Sequence, residues 1–205
     1  MKKLITSIAC ATALFFSANS NAQEVEFGAK AGINFSNASG DIKNNSAKLG
    51  FYVGGLADIK ISDKFSIQPE LVYSLEGYNL ETLTVDGASI TTEDKPLNLS
   101  YLNVAGMAKY YITDGLNVEA GPQIGFLLGA SFDGESEISG VEIKDGYKSI
   151  NFGLNFGAGY ELESGLGFNA RYALGLSSIA EDVDGESFSE KTATFSIGVF
   201  YKFNK

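Results

Sequence analysis

The sequence predicts an all-β protein, an eight-stranded antiparallel up-and-down transmembrane β-barrel. Three observations lead there. Apolar and polar residues alternate with period two through most of the chain after residue 23. Tight turns alternate with long polar connections between those runs. No stretch after Ala22 approaches the roughly 20 apolar residues of a spanning helix, so a membrane would have to be crossed by a closed sheet.

The chain has 205 residues, enough for one domain. Residues 1–22 read as a secretory signal peptide and 23–205 as an outer-membrane β-barrel domain. Lys2 and Lys3 form a positive start, Leu4 to Phe16 an apolar stretch too short to anchor, and Ser20-Asn21-Ala22 a small-residue cleavage site. Cys10, the only cysteine, lies inside the apolar stretch with Ser7 where a lipidation motif has Leu, so the mature chain is expected to lack cysteine, disulfides and Cys-based metal sites.

Eight segments follow. The first sets Val25, Phe27, Ala29, Ala31 and Ile33 against Glu26, Gly28, Lys30, Gly32 and Asn34. The second sets Leu49, Phe51, Val53, Ala57, Ile59 and Ile61 against Tyr52, Gly54, Asp58 and Lys60. In the third, Phe65, Ile67, Leu71, Tyr73 and Leu75 oppose Ser66, Gln68, Glu70, Ser74 and Glu76. The fourth pairs Leu102, Val104, Ala108, Tyr110 and Ile112 with Tyr101, Asn103, Met107 and Lys109. Leu116, Val118, Pro122, Ile124, Phe126 and Leu128 then face away from Asn117, Glu119, Gln123 and Gly125. Ile150, Phe152, Leu154, Phe156 and Tyr160 oppose Asn151, Gly153, Asn155, Gly157 and Glu161. Leu166, Phe168, Tyr172 and Leu174 oppose Gly167, Asn169, Arg171 and Gly175. The last sets Phe195, Ile197, Val199, Tyr201 and Phe203 against Ser196, Gly198 and Lys202.

Three connections are tight, at 62–64, 113–115 and 163–165; four are long, near 36–47, 78–96, 131–148 and 178–191. That rhythm predicts periplasmic turns, extracellular loops and both termini in the periplasm. A soluble sandwich would alternate too, but would not need the short–long rhythm. A soluble ligand-carrying barrel would reverse the faces. Here large apolar side chains occupy one face of every segment, with Tyr73, Tyr110, Tyr160 and Tyr201 placed near segment ends as interface girdles.

The last segment carries a further pattern. Ser196, Gly198, Tyr201 and Phe203 have the polar-x-Gly-x-x-aromatic-x-aromatic form of the signal read by barrel-assembly machinery.

Several segments resemble the PorT-like outer-membrane β-barrel family of Bacteroidetes: FGAKAGINFS (27–36), IQPELVYSLEGY (67–78), YLNVAGMAKYY (101–111), EAGPQIGFLLGA (119–130), FGLNFGAGYEL (152–162) and ARYALGLSSI (170–179). The sequence departs from the family at Ala105, often Pro, and Asn103, commonly acidic. The resemblance implies an outer-membrane location and no single function. The name-giving PorT protein takes part in type IX secretion, and carrying that role over is analogy.

Counted from the tight turns, six inward charges fall at similar depth: Lys30, Asp58, Glu70, Lys109, Glu119 and Arg171. Three are acidic and three basic, so the layer can neutralise itself in a lumen just wide enough for side chains. Tyr52, Tyr101, Met107 and Phe200 add bulk inside. The reading is a closed, side-chain-filled lumen, with a gated ion path as the alternative.

Chemistry is otherwise sparse. There is no histidine, so the usual route to activating Ser or water near neutral pH is missing and no enzyme is expected. No cofactor or metal site is expected. Without Lys2 and Lys3 the chain has 13 Lys and Arg against 25 Asp and Glu, a net charge of −12, which repels nucleic acid. Two long loops are acidic, one through Asp133, Glu135, Glu137, Glu142 and Asp145, the other through Glu181, Asp182, Asp184, Glu186 and Glu190. Asp182, Asp184 and Glu186 lack the spacing of a full calcium loop, so these loops read as a solvated surface, with divalent bridging to lipid as the minor alternative. Expected partners are outer-membrane lipid and lipopolysaccharide, the barrel-assembly machinery, and envelope or secretion proteins. The expected function is a structural or interaction scaffold of the envelope; the alternatives are a small channel for ions or solutes and a PorT-like accessory role in secretion.

Overall fold

The computed structural model describes residues 24–40, 45–80, 84–85, 88–89, 95–132, 146–180 and 190–203. The segment expected to be a signal peptide and the acidic positions 133–145 and 181–186 lie outside them.

Within those residues the chain forms ten strands: β1 (Val25–Gly40), β2 (Asn45–Ser62), β3 (Phe65–Leu80), β4 (Thr84–Val85), β5 (Ala88–Ser89), β6 (Lys95–Tyr111), β7 (Leu116–Phe132), β8 (Ile150–Glu161), β9 (Leu166–Gly175) and β10 (Glu190–Lys202). Eight of them close into one barrel in the order β1-β10-β9-β8-β7-β6-β3-β2, every neighbour antiparallel. The seam pairs Gly28 with Lys202 and runs to Gly40 with Glu190. Closure leaves no edge with unpaired backbone groups, the condition for a sheet to sit in hydrocarbon.

The faces follow the alternation. Phe27, Ile33 and Phe35, Phe51 and Val53, Phe152 and Phe156, Ile197 and Val199 all lie exposed on the outside. Tyr52, Tyr101, Met107 and Phe200 are buried inside among polar and charged side chains. An apolar belt around a polar interior is the inverse of a soluble barrel and marks a lipid-facing surface. All three tight turns form where the sequence places them, and both described chain ends lie at that end of the barrel, called here the turn end.

The opposite, loop end departs from expectation. A tilted strand crosses the bilayer in about 9–11 residues. β8, β9 and β10 have 12, 10 and 13, whereas β1, β2, β3, β6 and β7 have 16, 18, 16, 17 and 17. Five strands therefore outrun the belt, and along β1, β3 and β6 the polarity of the faces swaps. Outside, Phe35 gives way to Asn37 and Ser39, and Leu102 to Ser100 and Asn98. Inside, Asn34 and Ser36 give way to Ala38, Glu76 to Tyr78, and Asn103 to Tyr101, Leu99 and Leu97. Those inward residues pack with Leu127 and Ile179 into an apolar cluster, with Tyr147 and Ala130 against it.

On the low side, the segments before β8 and after β9 fold over this cluster. Tyr147 bridges to Ala180, Lys148 N–H donates to the Ile179 carbonyl at 2.7 Å, and Ile179 N–H donates to that of Glu190 at 2.7 Å.

Three expectations change. The connection expected near 36–47 is mostly strand, since β1 runs to Gly40 and β2 begins at Asn45. Its residues read as a loop because their outward positions are polar, which is right for strand that has left the membrane. Tyr73 lies mid-strand in β3 rather than near its end, against Phe51 at a ring distance of 6.1 Å. The connection near 78–96 contains the short β4–β5 hairpin, too small to show in the alternation.

Candidate functional site

Among the described residues charge gathers in the lumen, and period two puts it there. Of the six charges expected in one layer, Lys30, Glu70, Glu119 and Arg171 come together. Arg171 grips Glu70 through two bonds, Nη1 to Oε2 at 2.7 Å and Nη2 to Oε1 at 2.9 Å. It reaches Glu119 Oε1 from Nε at 2.9 Å and from Nη2 at 2.7 Å. Lys30 Nζ donates to Glu70 Oε2 at 3.0 Å, and Gln68 Nε2 to Oε1 at 2.6 Å. Both Glu70 oxygens are thus occupied in a group with two cations and two anions. The planar fork of arginine suits such a double grip.

Asp58 and Lys109 belong to a second cluster nearer the turn end. At its centre lies Lys202, whose Nζ is 2.8 Å from Glu26, 2.6 Å from Asp58 and 2.8 Å from Glu161. Lys109 Nζ sits 3.8 Å from Asp58, bonds Gln68 Oε1 at 3.1 Å, and lies over the Phe200 ring at 5.2 Å. Tyr111 donates to Asp58 Oδ2 at 3.0 Å, and Lys60 joins from the rim to Glu26 at 3.4 Å. One layer is therefore two. Counting residues from each turn treats the strands as upright, whereas barrel strands tilt and their registers stagger.

Glu26, Glu161 and Lys202 were legible as inward residues but not as partners in this network. Their depth depends on that stagger, and no local pattern shows it. Three carboxylates share one lysine ammonium. Among the described residues no group of three or more His, Cys, Asp or Glu side chains is arranged to hold a metal ion.

Bulk fills the rest. Tyr52 crosses the lumen to bond Asn169 Oδ1 at 3.3 Å. Its ring fits because Gly32 and Gly198 are glycine; a Cβ at either would run into it. Gly167 makes the same room for Phe200. Among the described residues a cavity of about 40 Å³ lies beside Arg171 and one of about 10 Å³ beside Lys109. The larger has room for a water molecule or a small ion.

The residues of the terminal pattern split between faces. Ser196 and Gly198 lie on the lumen side, while Tyr201 and Phe203 stand exposed outside with ring centroids 5.9 Å apart. Gly198 thereby also has a packing reason to be glycine.

Comparison with known proteins bears on this architecture. No curated protein matches the sequence. Neisserial surface protein A (NspA) shares 16% identity over 88% of this chain and 100% of its own, with a TM-score of 0.56. Ail, the attachment invasion locus protein of Yersinia pestis, solved in complex with the heparin analogue sucrose octasulfate, shares 17% identity over 88% of this chain and 99% of its own, with a TM-score of 0.50. At these identities the likeness is one of fold. Residues 18–181 match the outer membrane protein beta-barrel domain family. With its closed ring of eight strands and lipid-facing belt, the chain belongs to that family of outer-membrane proteins.

Proposed function

We propose that the protein is a closed, non-conducting scaffold of the outer membrane that presents a rigid platform and acidic loops to binding partners. In this reading the tight turns and termini face the periplasm, and the tall wall and long loops face outward. One observation carries it: the lumen is blocked at three successive levels, by the Lys202 cluster, the Arg171 cluster and the apolar cluster around Leu97, Leu99 and Ile179.

The apolar cluster supports the platform half of the proposal. It gives the part of the barrel above the belt a core of its own, so the loops spring from folded sheet. Charge narrows the partner. Ail was crystallised with a polyanion, whereas the long loops here carry Asp133, Glu135, Glu137, Glu181, Asp182 and Asp184. Basic or neutral partners suit them better than sulfated sugars.

Planar-bilayer recording of the refolded protein tests the scaffold. No steady openings are expected in molar salt; regular openings would favour a small channel instead. The PorT-like segments suggest an accessory role in secretion as a second reading. Comparing the proteins released by a deletion strain and its parent tests that role.

A further inference from the structure

Both charge clusters are internally balanced. Lys30 and Arg171 face Glu70 and Glu119; Lys60, Lys109 and Lys202 face Glu26, Asp58 and Glu161. Two buried carboxylates have no ion pair among the described residues, Glu76 and Glu190. Glu190 sits at the rim beside Tyr78. Glu76, equally buried, is different because it lines the 40 Å³ cavity. Its oxygens receive bonds from neutral groups only, Asn103 Nδ2 at 3.2 Å and Thr194 Oγ at 3.4 Å. The cations across the cavity, Lys30 and Arg171, are committed to Glu70 and Glu119, and Lys48 has a contact of its own.

The rest of the lining is rich in oxygen. Asn34 lines the cavity and donates from Nδ2 to Ser74 Oγ at 2.8 Å. Asn155, fully buried, spends its amide nitrogen on Gln123 Oε1 at 3.1 Å, and its own Oδ1 has no hydrogen-bond partner. Asn103 Oδ1 is likewise unpartnered. A buried carboxylate needs a balancing charge, and orphaned buried oxygens need a donor or a cation. One negative charge, several neutral oxygens and room for a small ion define the complement.

We propose that this cavity binds one monovalent alkali cation, held by the Glu76 carboxylate and by oxygens of Ser74, Thr194, Asn34 and Asn155. A single positive charge balances the one carboxylate that lines the cavity without an ion pair. A divalent ion would leave it charged and would seek more carboxylates than one.

The refolded protein in nonionic detergent tests this, with unfolding followed by circular dichroism at constant chloride while sodium replaces choline. Sodium is expected to raise the unfolding midpoint. Once the site approaches saturation, the unfolded-to-folded ratio should fall about tenfold for each tenfold rise in sodium. Glu76→Gln should abolish the difference between the two salts. Equal midpoints of the unaltered protein in sodium and choline would overturn the proposal, pointing to a protonated Glu76. So would a sodium response undiminished in Glu76→Gln, which would place the cation elsewhere. Should the variant fail to fold, anomalous scattering from thallium(I)-soaked crystals of the unaltered protein decides: a peak beside Glu76 supports the site, and its absence there overturns it.

Discussion

Arg171 bonds two carboxylates at once, and Glu70 accepts from three side chains. Such a buried pair adds little net stability over an apolar replacement, but breaking it by removing one partner is costly. Arg171→Met is therefore expected to lower the stability to denaturant unfolding by about 3–5 kcal/mol. Adding Glu119→Gln should restore part of it, because the stranded charge goes too. A second residue-scale test concerns shape. Gly167→Val would drive its side chain into the Phe200 ring, at a cost of about 1–3 kcal/mol in the same assay. Neither effect needs a change in net fold.

At the scale of the strand, one element crosses two solvents. The outward face of β1 passes from Ile33 and Phe35 in the apolar belt to Asn37 and Ser39 beyond it. Ile33→Lys should cost about 2–4 kcal/mol if it lies near mid-belt, and Ser39→Lys at most about 1. Equal costs, measured by unfolding from lipid vesicles, would show that the belt does not end between them. This crossing also explains what was legible in advance. Which residues of each membrane segment face in was plain, because period two needs no tertiary knowledge. The extension of β1 was not, because polar-out, apolar-in alternation such as Asn37-Ala38-Ser39 is read as loop by a rule that expects lipid outside. The grouping of Lys202 with Glu26 and Glu161 stayed hidden for another reason, since stagger around a barrel is set by all eight registers together.

The whole molecule is closed twice, by backbone pairing at the β1–β10 seam and by charge across the lumen. Lys202 draws β1, β2 and β8 to β10 through Glu26, Asp58 and Glu161. Lys202→Met should lower stability by several kcal/mol, since three buried carboxylates lose their shared cation. Lys60→Met should cost no more than about 1 kcal/mol, because that lysine is one-third exposed at the rim. Thermal unfolding of the two variants side by side measures the contrast. The position of Lys202 also has a meaning in time. Glu26 is synthesised among the first strand residues, and the ammonium at the centre of its cluster arrives 176 residues later. Before it, three carboxylates, Glu26, Asp58 and Glu161, face only two ammoniums, Lys60 and Lys109. A polypeptide cut short before residue 202 would carry one unbalanced negative charge into the bilayer. Completion of the chain is thus registered as neutrality, and a truncated product is marked by the charge it cannot lose.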